Sequence, residues 1–98
     1  MGPGKVRLLE ELAELGSISA AGRAMGMSYR RAWELIADLN AMFAQPLVAA
    51  KAGGRHGGGA ALTPFGAALV REYRAIEALA EEAAGEHLAA LEAALTKE

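Results

Sequence analysis

The sequence predicts a mainly α-helical domain that carries one small β-hairpin and is closed by a long helix. Three observations predict it. Apolar residues recur every three or four positions in the stretches 5–15, 28–43 and from residue 64 onward, the period of an amphipathic helix. A glycine-rich run from Lys51 to Gly59 separates two short β-prone segments, the pattern of a hairpin. Residues that start and stop helices stand at the ends of the periodic stretches: Gly16, Gly26, Ser28 and the pair Thr63-Pro64.

The first helix is expected over Lys5 to Leu15, with Leu8, Leu12 and Leu15 on one stripe and Val6 and Leu9 at its flank. Gly16 ends it, because glycine adopts the left-handed backbone that closes a helix. Ser19 offers the N-cap of a short second helix through Met25, with Ile18 before it as a hydrophobic staple. Gly26 stops that helix and Met27 packs inward. Ser28 caps a third helix running to about Phe43, on which Ala32, Ile36, Leu39 and Phe43 form the apolar stripe. Trp33 and Leu35 widen that stripe, so Trp33 is expected in the core, where truncation to alanine would cost roughly 3–5 kcal/mol.

Pro46 blocks further helix. Strands are expected over Leu47 to Ala50 and Ala61 to Thr63, joined by the basic glycine-rich tip with Lys51, Arg55 and His56. Thr63 then caps a last helix with Pro64 at its first position. Its stripe runs through Leu69, Tyr73, Ile76, Ala80 and Ala83, and Gly85 is read as a bend or break before Leu88, Leu91 and Leu95.

The 98 residues make one domain, with residues 1–63 as a winged helix-turn-helix and residues 64–98 as a helical dimerisation segment of the same domain. Aromatics are 5% of the chain, so the core is thin and the stripes on the first and last helices want a second subunit. The net charge of −2 conceals an asymmetry. Residues 1–63 hold seven basic and five acidic side chains (+2), and residues 64–98 hold three and seven (−4). A positive face on an acidic molecule is therefore available.

With no cysteine, disulfides and thiolate chemistry are excluded. His56 and His87 are far apart in sequence and form no ligand set, so no metal or cofactor is expected. Ser17, Ser19 and Ser28 read as caps and no catalytic group stands out, which points away from an enzyme. No apolar run approaches the roughly 18 residues of a membrane span, and the expected location is the cytoplasm.

Helix, short helix, glycine turn, longer helix, basic hairpin and long helix is the order of a winged helix-turn-helix. In that design a short helix braces a second one so that its first turn enters the major groove of DNA, while the hairpin reaches phosphates. Tyr29, Arg30 and Arg31 occupy that first turn, behind Ser28. Two arginines stand at the wrong end for the helix dipole, which favours acids at an N-terminus but also favours phosphate there. The bland alternatives are a solvated face, an Arg30–Glu34 pair at i, i+4, and Tyr29 at the core edge. The glycine loop lacks the Gly-Lys-Ser/Thr and the following helix of a phosphate-binding loop.

The run "GSISAAGRAMGMSYRRAWELIADLN", then "PLV", the glycine-rich basic loop and "LTPFG" resembles the DNA-binding domain of ModE-type molybdate-responsive transcriptional regulators. More distantly it is similar to the LysR-type helix-turn-helix. The resemblance covers roughly residues 2–80. It implies a bacterial homodimer on double-stranded DNA, with contacts at Ser28, Tyr29, Arg30 and Arg31 in the recognition helix and at Lys51 and Arg55 in the wing. Regulators of this kind continue into a molybdate-binding domain, whereas this chain stops at Glu98. A stand-alone domain without molybdate binding is therefore expected. The alternatives are a protein-interaction module that uses the acidic C-terminal helices and, third, a small-oxyanion site at the glycine loop.

Overall fold

The computed structural model describes residues 2–51 and 59–95. Helix α1 spans Pro3–Leu15, α2 Ile18–Ala24 and α3 Tyr29–Met42; strands β1 and β2 span Val48–Lys51 and Gly59–Leu62; helix α4 spans Pro64–Ala94. The predicted class, mainly helical with one hairpin and a long last helix, is the one observed.

Proline opens α1, and Gly16 closes it in the left-handed region (φ 78°), with its N–H donating to the Leu12 carbonyl at 2.8 Å. Val6, Leu8, Leu9 and Leu12 are fully buried. Leu15, predicted on the same stripe, is 45% exposed, because it is the last residue of the helix and the chain turns away at Gly16.

Helix α2 begins two residues earlier than predicted. Ser17, not Ser19, is the N-cap, its Oγ accepting from the Ala20 N–H at 3.0 Å. The turn at Gly16 leaves only Ser17 extended, so helical dihedrals start at Ile18. Ser19 then lies inside the helix, where its Oγ accepts from Arg23 Nη1 at 2.9 Å. The α2 C-terminus closes as a Schellman motif: Gly26 (φ 71°) donates to the Arg23 carbonyl at 3.1 Å and Met27 to the Gly22 carbonyl at 2.9 Å. Met27 packs against the core as expected.

Helix α3 buries Ala32, Ile36 and Leu39. It is tied to the hairpin by Asn40, whose Oδ1 accepts from the Leu47 and Val48 N–H groups at 2.8 and 3.1 Å while Nδ2 donates to the Val48 carbonyl at 3.2 Å. Both strands sit slightly off the predicted ranges. The antiparallel register pairs Val48 with Leu62 and Lys51 with Gly59, which moves Leu47 into the core ahead of the ladder and leaves Thr63 as a cap rather than a strand residue. The Ala60 N–H donates to the Gly16 carbonyl at 3.0 Å, so the hairpin also leans on the α1–α2 turn.

Thr63 closes the first turn of α4 as predicted, its Oγ1 accepting from the Gly66 N–H at 2.9 Å and donating to the Pro46 carbonyl at 2.8 Å. The predicted interruption at Gly85 is absent: α4 is one helix of 31 residues, about 46 Å long at 1.5 Å per residue. One glycine costs a helix only about 1 kcal/mol, which the alanine- and leucine-rich flanks absorb. Arg74 fastens α4 to α1. Its Nε and Nη2 donate to the two Glu10 oxygens at 2.9 and 2.8 Å, and its Nη1 donates to Glu77 Oε1 at 2.7 Å. These hydrogen bonds from Arg74 hold the Glu10 carboxyl below its ordinary value.

Candidate nucleic-acid interface

The order of the first three helices fixes what α3 can present. Its core-facing side is spent on Ala32, Ile36 and Leu39. Its first turn is held by Ser28, whose Oγ accepts from the Arg31 N–H at 3.1 Å. The N–H groups of Tyr29 and Arg30 belong to the unsatisfied first turn, where the helix dipole is positive. Ser28, Tyr29, Arg30 and Arg31 are all exposed around the cap and first turn of α3.

Tyr29 is 58% exposed, which decides between its two sequence readings in favour of the surface. Arg30 Nε donates to Glu34 Oε2 at 3.3 Å, the predicted i, i+4 pair, yet the arginine side chain remains 88% exposed. A pair that open is worth a few tenths of a kcal/mol and orients the guanidinium more than it stabilises the helix.

Lys51 is exposed at the end of β1, opposite Gly59. Arg55 and His56, predicted in the wing tip, lie outside the described residues. An open depression of about 310 Å³ joins the two elements: Tyr29 of α3 lines it together with Ser17, Ile18, Ser19, Gly59 and Ala60. The start of α3 and the base of the hairpin therefore border one concave surface.

Trp33 contradicts its prediction. It is 52% exposed instead of buried. On a helical wheel at 100° per residue it lies about 60° from Ile36, with Tyr29 between them and Ala37 and Arg30 beyond it. That margin of the stripe faces the cleft beside the hairpin rather than the packed interior, and Trp33 lines a cleft of about 250 Å³ there. Sequence reasoning missed it as a surface residue because apolar character alone assigned it to the core.

Among the described residues no polar or charged side chain is buried, and no group of three metal-capable side chains comes together. No described helix is long and apolar enough to cross a membrane.

Comparison with known proteins agrees with this geometry. The molybdenum-pterin-binding protein MopB of Rhodobacter capsulatus is 49% identical over 78 residues, covering 80% of this chain and 29% of that protein. The molybdenum transport protein ModE of Azotobacter vinelandii is 44% identical over 73 residues, covering 74% of this chain and 27% of that one. The chain thus spans less than a third of the length of these two relatives. A solved CbnR_DBD–DNA complex shares the fold, with a TM-score of 0.69 at 23% identity over 93% of this chain and 99% of that one. Residues 4–67, more than half of the chain, match the bacterial regulatory helix-turn-helix proteins of the lysR family, and the protein belongs to that family.

Proposed function

We propose that this chain is the DNA-contacting part of a bacterial, cytoplasmic transcription regulator, acts as a homodimer on double-stranded DNA, and has no catalytic role. One observation carries the reading: a capped helix, braced by a shorter one, offers an exposed Tyr29-Arg30-Arg31 turn beside the hairpin base. Such a turn supplies donors for base edges and phosphates at the positive end of a helix dipole. In this reading Ser28, Tyr29, Arg30 and Arg31 meet the major groove, and Lys51 and Arg55 meet backbone phosphates. The relatives' names, which include transcriptional regulators, support it.

Residues 1–63 form the DNA-binding unit and residues 64–98 the dimerisation segment of the same domain. Support for the dimer comes from α4, where Leu69, Tyr73, Ile76, Ala80, Ala84, Leu88, Leu91 and Leu95 recur at spacings of three and four. Along that stripe Ile76, Leu91 and Leu95 are 63%, 67% and 74% exposed, and a symmetric partner is the commonest way to cover such a face. The acidic side chains of the same helix repel an anion, so no molybdate binding is assigned to these residues. Sedimentation at micromolar concentration should give a dimer that molybdate leaves unchanged. A monomer refutes the assembly, and a molybdate-dependent boundary refutes the second part.

Arg30→Ala tests the site. If Arg30 reads a guanine with both of its terminal nitrogens, affinity for a duplex selected from a random pool should fall by about 1–3 kcal/mol, with a smaller loss on random DNA. Equal losses would make it a phosphate contact. No loss on either would remove it from the interface. The rival reading, a protein-interaction module using the acidic α4, expects no DNA affinity at all.

A further inference from the structure

Trp33 is the chain's single tryptophan, and the fold gives it no interior role. It stands one turn beyond Tyr29 and Arg30 on α3, at i+4 and i+3. The cleft that it lines runs between α3 and the hairpin, with Ala37 and Asn40 on one wall and Ala49, Ala50 and Gly59 on the other. Ala50, on the far wall, directly precedes the exposed Lys51 in β1, and Arg30 stands one turn before the indole on α3. A large ring is thus left half exposed one turn from the arginines of α3. The surface that covers it must therefore accept positive charge beside the ring, which fits a polyanion, while the apolar α4 stripe of a second copy is already assigned above to the symmetric contact between α4 helices.

We propose that Trp33 is a specificity-determining contact to DNA, its ring packing on the C5-methyl of a thymine in the major groove one turn into α3. The proposal rests on the DNA-binding reading above. The chemistry suits the residue: the thymine methyl is the one apolar feature on the major-groove edges, and apolar side chains read it by contact. Tryptophan adds a rigid ring at little cost in side-chain entropy and an indole N–H able to donate to a phosphate at the groove's edge.

Because no other tryptophan contributes, indole emission of the chain, excited at wavelengths the tyrosines do not absorb, reports on this residue alone. Titration with a duplex selected from a random pool should change the emission and shield Trp33 from acrylamide. Replacing the thymines of that duplex by deoxyuridine, which lacks only the methyl, should weaken wild-type binding about fourfold per methyl lost from the contact. Trp33→Ala should bind the two duplexes alike, and Trp33→Phe should retain part of the discrimination. DNA binding with emission and acrylamide access unchanged overturns the proposal and leaves the DNA-binding reading standing. An emission change that depends on protein concentration without DNA assigns the cover to a second copy and also overturns it. Failure to bind any DNA removes both. Should Trp33→Ala fail to fold, the wild-type titration and the deoxyuridine duplex still decide.

Discussion

Gly66→Ala is expected to lower the melting temperature by about 10 °C or more. Gly66 is buried in the first turn of α4, where a Cβ would run into the carbonyl oxygen of Leu47 and stand 3.0 and 3.1 Å from that residue's carbonyl carbon and Cα. Those are backbone atoms, and they cannot swing aside. The Leu47 carbonyl accepts from the Thr63 N–H at 2.9 Å, and the Leu47 N–H donates to Asn40 at 2.8 Å, so the obstacle is fixed from both sides. Overpacking of this kind costs typically 1–3 kcal/mol, and about 4–8 °C per kcal/mol follows for a domain of this size. Gly85→Ala in the same helix is the control. Nothing lies within 4 Å of its Cβ position, so it should gain up to about 1 kcal/mol from helix propensity alone. If the two variants melt alike, the close seat of α4 on Leu47 is wrong.

Leu39→Ala should cost about 2–5 kcal/mol in chemical denaturation, whereas Trp33→Ala on the same helix should cost under about 1 kcal/mol. Leu39 is fully buried among residues of α1, α2 and β1, and its truncation leaves a cavity that little can fill. A domain whose whole stability is of order 5–15 kcal/mol feels that loss strongly. Trp33 is larger but half in solvent, so removing it opens no sealed void. A reversed order of the two costs would mean that the apolar stripe of α3 turns toward the hairpin instead of toward α1.

These two predictions also mark what was legible in the sequence. Gly16, Gly26, Ser28 and Thr63-Pro64 were readable because a cap or a stop is settled within four residues of chain. Gly85 was misread for a complementary reason: propensity registers a glycine's cost but not the favourable flanks that outweigh it. Gly66 gave no signal at all, since its necessity comes from Leu47, nineteen positions earlier, brought close by the hairpin. Periodicity put Ile36 and Leu39 inside correctly, yet it could not place the boundary of the stripe, and Trp33 fell on the wrong side of it. The candidate site followed the same division. That Ser28, Tyr29, Arg30 and Arg31 open α3 together follows from the cap at Ser28, while the nearness of Tyr29 to Gly59 is a tertiary fact without a local signature.

The central claim is that a basic face on an acidic chain engages DNA phosphates, and its most direct measurement is the affinity for random duplex DNA as a function of salt. Each phosphate neutralised releases counterions, so log affinity should fall linearly with log salt by about 0.9 for each cation engaged. With Lys51 and Arg55 on phosphates the slope should be on the order of −1.8 per chain, and on random DNA, where Arg30 and Arg31 have no cognate base to read and turn to phosphates, it should steepen toward about −3.6. Exchange of all four for alanine should flatten it. Binding that ignores salt, or no binding to any duplex at low salt by a folded dimer, would contradict the account.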